Sequence, residues 1–260
     1  MVFDVISPLL LLRLLFLGDA GVRQPGNEAA VGDGPLAVHD HAVRVCGGEC
    51  DGVVLLGDNI YQHGINEAVD SAFLRNFAEM WSDVGPQYYV PGNHDLPDLD
   101  LPGNADRRVV DVAGLRVVGI GGSPDHRKDP YEYEEDEIRA LELPEADILL
   151  SHTPPARTAL DLVPRRGAHV GSEAIRERAL CHRGALVCGH IHESPGTELL
   201  GECFCFNPGG LGRPFGRAQV GFLIWEVEGL RSEHLDLESG TSTWWSYRYG
   251  ESELLELVRQ

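Results

Sequence analysis

Residues 53–61 read VVLLGDNIY, an apolar run that stops on a carboxylate and is soon followed by a phenol. Four apolar residues bounded by glycine suit a buried strand. A single Gly-Asp ending is an ordinary turn signal, but the same ending recurs along the chain. LLRLLFLGDAG (11–21) ends at Asp19, and QYYVPGNHD (87–95) ends at Asn93, His94 and Asp95. DILLSHTPP (147–155) ends at His152, and ALVCGHIHE (185–193) ends at His190 and His192. With Asp58 and Tyr61, five apolar runs finish in metal-competent residues. Parallel neighbouring strands would bring all five ends to one edge of a sheet, where open α/β sheets bind ligands.

The collected side chains are carboxylates, a phenol, an amide and imidazoles. Mixed oxygen and nitrogen donors suit Fe, Mn or Zn rather than Ca or Mg alone. They are too many for one ion and enough for two. Two ions sharing a carboxylate suit in-line displacement at phosphorus.

Between these strands the spacing predicts helices over 35–46, 66–81 (with Asn66 as N-cap), 131–143 and 171–181. The acidic run in 131–143 reads as a solvated face. Residues 107–120 read as a hairpin turning at Ala113-Gly114. The last part is all strand: 197–200, 203–206, 220–228 and 230–238, with 241–249 an edge strand or a docked tail. Alternation followed by consecutive strands predicts an α/β fold, a four-layer α-β-β-α sandwich. In it, two mixed β-sheets are flanked by helices and the metal site lies at the carboxyl ends of the strands. No linker or repeat divides the chain. It is read as one domain over 1–260, with motifs in 11–227 and C-terminal strands and a tail in 228–260.

Composition narrows the partners. The 260 residues are 43% apolar, enough for a sizeable core. Acidic side chains number 41 against 21 basic, for a net charge of −20. Such a surface repels nucleic acid and anionic lipid, so neither a nucleic acid polymer nor a membrane is an expected partner. An anionic substrate would need a local attractor, which a bound metal supplies. The six cysteines show no C-x-x-C spacing, which sets aside zinc-ribbon and thioredoxin-like readings; a Cys46–Cys50 disulfide is left open. The N-terminus, MVFDVISPLLLLRLLFLGDAG, imitates a signal peptide. However, Asp4 replaces the expected basic residues, Arg13 breaks the apolar run, and cleavage after it would remove or fray Asp19. The run is also too short to span a bilayer. The expectation is a short leader, a buried first strand and a cytoplasmic protein.

Taken in order, GD, GDNxY, GNHD, SH and GHxH resemble the calcineurin-like metallophosphoesterases over about residues 11–227. Most members open with D-x-H, whose histidine binds the first metal. Here Gly21 stands in that place, in Asp19-Ala20-Gly21. The purple acid phosphatase branch also has D-x-G and supplies a tyrosine from G-D-x-x-Y, matched here by Gly57 to Tyr61. The resemblance therefore implies a first site of Asp19, Asp58, Tyr61 and His192. It implies a second of Asp58, Asn93, His152 and His190, with Asp58 bridging. Phenolate and carboxylates favour Fe(III) at the first site, with Fe, Zn or Mn at the second; Mn/Mn and Zn/Zn pairs are the alternatives. His94 would touch substrate phosphate and protonate the leaving group, and Asp95 would orient a histidine or be structural. The implied reaction is hydrolysis of a small phosphate monoester by attack of a metal-bound hydroxide. The second half, GIGGSPD (119–125), SHTPPARTALD and HVGSEAIRE, looks more like small prokaryotic phosphoesterases of the same superfamily.

Weaker candidates are Arg157, which could reach substrate phosphate, and His63 and His169 in loops. His39, His41, His126, His182 and His234 have no supporting motif. Asn207-Pro208-Gly209-Gly210 reads as a turn and Trp244-Trp245 as packing. The rival functions are a phosphodiesterase on the same site and a non-catalytic protein-binding scaffold.

Overall fold

The structure, a computed structural model, describes residues 11–19, 50–59, 75, 79, 81–82, 84–95, 101–124, 129–211 and 218–259. Two mixed sheets carry the fold. The first contains β1 (Leu12–Leu17), β2 (Gly52–Leu55) and β3 (Gln87–Tyr89). The second contains β4 (Val109–Val112), β5 (Leu115–Ile120), β6 (Ile148–Ser151), β7 (Ala185–Cys188), β8 (Gly196–Leu200) and β9 (Cys203–Asn207). The chain then returns to the first sheet with β10 (Gln219–Glu226), β11 (Gly229–Asp236), β12 (Ser242–Arg248) and β13 (Leu255–Arg259). The first sheet runs β13-β12-β11-β10-β1-β2-β3 and the second β8-β9-β7-β6-β5-β4.

Neighbours β1, β2 and β3 are parallel, as are β5, β6, β7 and β9. β1, β2, β6 and β7 are buried on both faces, which is why they read as continuous apolar runs rather than alternating ones. Their period of two still sorts the side chains. Leu12, Leu14 and Phe16 of β1 meet Ile148 and Leu150 of β6 and Phe204 and Phe206 of β9 between the sheets. Phe16 and Phe206 pack edge to face there at 6.0 Å. Leu15 and Leu17 point the other way, toward Trp81 and Val84. Each such fully buried Leu or Phe is worth about 1.5–3 kcal/mol.

The outer face of the second sheet is covered by α1 (Glu135–Ala140) and α2 (Glu173–Cys181), through Ile138, Ala174, Ile175 and Ala179. The helices cap each other. Glu135 accepts from the Glu173 and Ala174 N–H groups at the start of α2, and Arg178 of α2 donates to the Ile138 and Leu141 carbonyls at the end of α1. The acidic run is therefore not simply a solvated face, and its helix is shorter than predicted because Glu132–Tyr133 pairs with Ser123–Pro124. Arg75 and Glu79 are helical, within the stretch predicted as a helix over 66–81. The rest of the helix predicted over 66–81, and that over 35–46, lie almost wholly outside the described residues.

One further expectation changes and one holds. The 241–249 segment is not an edge, because β12 is flanked by β11 and covered on its other side by β13. The hairpin does turn at Ala113-Gly114, both at positive φ (52° and 92°), as a two-residue turn between right-twisted strands demands. Among the described residues, no helix is long and apolar enough to cross a membrane.

Candidate metal centre

The five strand ends do not share one sheet. Asp19, Asp58 and Asn93-His94 follow β1, β2 and β3 of the first sheet, while His152, His190 and His192 follow β6 and β7 of the second. Face-to-face packing brings the two carboxyl edges together. Main chain and side chains interlock across the junction: His190 N–H donates to Asp19 Oδ2 at 2.8 Å, and His152 Nδ1 donates to the Leu56 carbonyl at 2.7 Å.

The second bond decides the chemistry. A carbonyl only accepts, so His152 Nδ1 carries the proton and neutral His152 turns the Nε2 lone pair inward. Around that Nε2 stand Asn93 Oδ1 at 3.0 Å, His190 Nδ1 at 3.2 Å and Asp58 Oδ2 at 3.5 Å. Ligand atoms of Asp58, His152 and His190 all lie within 4.8 Å of one another. Beside them, Asp19 Oδ1 is 3.1 Å from His192 Nε2 and makes no hydrogen bond among the described residues. His152, Asp19, Asn93 and Asp58 are at most 5% exposed. A buried group this rich in acceptors and poor in protons is costly unless a cation satisfies it. The donor set fits the metal ions that the sequence implies.

The electrostatics agree. Burial works against ionised Asp58, but His152 outweighs it and holds the carboxyl well below the usual carboxylate range. Burial likewise opposes charge on His152, yet Asp58 prevails and the ring is pushed up to about 9. Burial, and then the charge of His152, pulls His190 down to about 3. For His192 burial is outweighed by Asp19, and its pKa rises. The site shares protons where metals would sit.

The backbone is held in unusual conformations to do this. Asp19, Asp58 and His190 adopt φ of 45°, 49° and 67°, left-handed values that cost non-glycine residues about 1–3 kcal/mol and cluster at functional sites. Gly92 lets the β3 loop press onto Asp58, since a Cβ there would lie 2.1 Å from Asp58 Oδ1 and 2.2 Å from its nitrogen.

His94 is 8% exposed, its N–H donating to Asp58 Oδ1 at 2.9 Å and its Nε2 3.9 Å from Asp58 Oδ2. Asp95 accepts the Gly92 N–H at 2.8 Å and so closes the loop. Arg157 is exposed, pairs with Glu173 at 2.5 Å and has no bond to the cluster. His169 Nδ1 bonds to buried Asp161 at 2.6 Å. Tyr61 and His63 lie outside the described residues. Cys181, Cys188, Cys203 and Cys205 are free thiols, while Cys46, and with it the Cys46–Cys50 pair, lies outside the described residues. Two supporting residues escape the sequence reading. Asp129 bonds Asn93 at 2.9 Å from a stretch with no motif. Asn207, read as part of a turn, is buried and donates to the Ile191 carbonyl at 3.0 Å, steadying the segment that bears His192.

A family model described as the calcineurin-like phosphoesterase superfamily domain matches residues 34–229. An uncharacterised protein of Methanocaldococcus jannaschii, MJ1162, is 33% identical over 153 residues, which span 52% of this chain and 68% of that protein. One solved structure, 16% identical, superposes with a TM-score of 0.63 over 93% of this chain and 100% of its own. The crystal structure of a dimetal phosphatase from Danio rerio, 13% identical, does so with a TM-score of 0.51 over 96% of this chain and 99% of its own. Both structural likenesses concern the fold.

Proposed function

Since the chain belongs to the calcineurin-like phosphoesterase superfamily, we propose that it is a two-metal hydrolase of small phosphate monoesters. The observation that supports this reading most is the convergence of acceptors around His152 Nε2, with Asp19 and His192 alongside. Asp19, Asp58 and His192, with Tyr61 by motif alone, would hold one ion. Asp58, Asn93, His152 and His190 would hold the other. The phenolate of Tyr61 favours Fe(III) in the first place, with Fe, Zn or Mn in the second. When bound, such ions supply Lewis-acid polarisation of the phosphoryl group and bring the pKa of water toward neutrality.

The chain's own residues do the rest. Asp58 would contribute a ligand atom to each ion. Burial of His152 and Asn93 keeps water from competing for the ligand atoms. His94, beside Asp58, would hold a phosphoryl oxygen and give a proton to the leaving oxygen. The net charge of −20 discourages anionic substrates at a distance, and the cations reverse that locally. The monoester choice rests on Gly21 and Tyr61 occurring together, as in the D-x-G and G-D-x-x-Y pattern.

Metal-stripped protein reloaded with iron, zinc or manganese tests the reading with an aryl phosphate monoester beside the matching bis-ester. Metal-dependent turnover favouring the monoester is expected. Preference for the bis-ester would move the assignment to a phosphodiesterase. Turnover of neither, with two metals bound, would overturn it.

A further inference from the structure

Asp129 belongs to none of the motifs, yet its side chain is 3% exposed and set against two residues of the site. Its Oδ2 accepts from Asn93 Nδ2 at 2.9 Å, and its Oδ1 lies 3.5 Å from His94 Nδ1 with no hydrogen-bond partner among the described residues. The main chain holds it there. Tyr131 N–H, two residues on, donates to the Asn93 carbonyl at 3.1 Å, and the Tyr131 carbonyl accepts from Ser123 N–H at 3.2 Å.

An asparagine amide has one edge that accepts and one that donates, and only the oxygen can ligate a metal. The carboxylate of Asp129 can only accept. It therefore bonds the NH₂ edge of Asn93 and repels the carbonyl edge. That choice leaves Asn93 Oδ1 facing His152 Nε2 at 3.0 Å, on the side where the acceptors converge. Without Asp129, a half-turn of the amide would present N–H groups to the cation. The sequence reading gave Asp95 as orienting a histidine or structural, and its bond to the Gly92 N–H at 2.8 Å is structural.

We propose that Asp129 is a positioning residue, which sets the ligating oxygen of Asn93 and places the His94 ring with the same carboxylate. The proposal rests on the two-metal reading above. Its effect falls on one ion only, because Asn93 serves the second site and not the first. Loss of such a supporting hydrogen bond typically weakens metal affinity about 10–100-fold.

The test is a calorimetric titration of metal-stripped protein with Mn²⁺ alone, and separately with Zn²⁺, in wild type, Asp129→Ala and Asp129→Asn. Expected are two binding events in wild type, with about 10–100-fold weakening of one event in Asp129→Ala. Asp129→Asn keeps an oxygen that can accept from Asn93 Nδ2 and should restore the affinity. Melting temperatures of the stripped proteins control for folding; should Asp129→Ala unfold, Asp129→Ser, too short to reach the amide, carries the same comparison. Two unchanged events in Asp129→Ala would overturn the proposal alone, and so would equal weakening of both. A wild-type protein that binds no metal would overturn the two-metal reading and this proposal together.

Discussion

His152 and His190 bring Nε2 and Nδ1 to within 3.2 Å of each other, while the other nitrogen of His152 is committed to the Leu56 carbonyl. Two ring lone pairs cannot face each other at that distance without a proton or a cation between them.

In metal-free protein the proton goes to His152, pushed up to about 9 because Asp58 overcomes its burial. Metal ligation needs the neutral ring. At pH 7.5, uptake of Zn²⁺ or Mn²⁺ should therefore release about one proton from this pair, measured as heat that varies with the buffer's ionisation enthalpy. Linkage gives a second sign. A histidine whose folded pKa is raised adds stability below its unfolded value near 6.5 and loses it as pH rises through about 9. Melting temperatures of stripped protein should fall across that window, and metal-loaded protein should not show the same loss.

Gly92→Ala tests the contact between the β3 loop and Asp58. A methyl 2.1 Å from Asp58 Oδ1 must displace the loop or the carboxylate. Expected are a loss of about 3 kcal/mol in chemical denaturation and weaker metal binding. Wild-type stability with intact binding would mean the loops are not held together as described.

His94→Ala separates chemistry from assembly. His94 is not assigned as a ligand, so metal content should be unchanged. Loss of a group that gives a proton to the leaving oxygen should lower kcat about 10²–10⁴-fold, with less effect for substrates whose leaving groups are already acidic. Unchanged kcat across leaving groups would remove His94 from the reaction.

The site was largely legible in the sequence because each ligand follows directly on an apolar run, and a buried strand end aims what comes next. Asp19, Asp58, Asn93, His152, His190 and His192 stand out this way, and the structure brings them together. What the runs could not show is which sheet each strand joins. VVLL and ILLS look alike, yet β2 and β6 lie in different sheets, because pairing depends on partners far away in the chain. Asp129 was invisible for a related reason. It reaches Asn93 through a loop with no periodicity, and a lone aspartate before proline carries no signal of its own. Glu135 was misread because its partners, the first amides of α2, come from 38 and 39 residues further along the chain.

His234 provides a test of the fold away from the metals. It is buried between Phe206 (4.7 Å) and Trp245 (4.5 Å), and burial pulls it down to about 3. The unfolded chain takes up this proton below about 6.5 and the folded chain does not, so stability is lost as pH falls from about 6.5 toward 3. Within that window the loss of stability approaches about 1.4 kcal/mol per pH unit. His234→Phe should make denaturant stability less sensitive between pH 6 and 5 by roughly one proton. An identical pH slope in both proteins would show that His234 is protonated in place.

The centre itself is tested most directly by counting metal ions per chain after loading with Mn²⁺ or Zn²⁺, in wild type beside Asp58→Ala. The account predicts two tightly held ions in wild type and none in Asp58→Ala, because both sites share that carboxylate. A single ion in wild type, or two retained in Asp58→Ala, would contradict it.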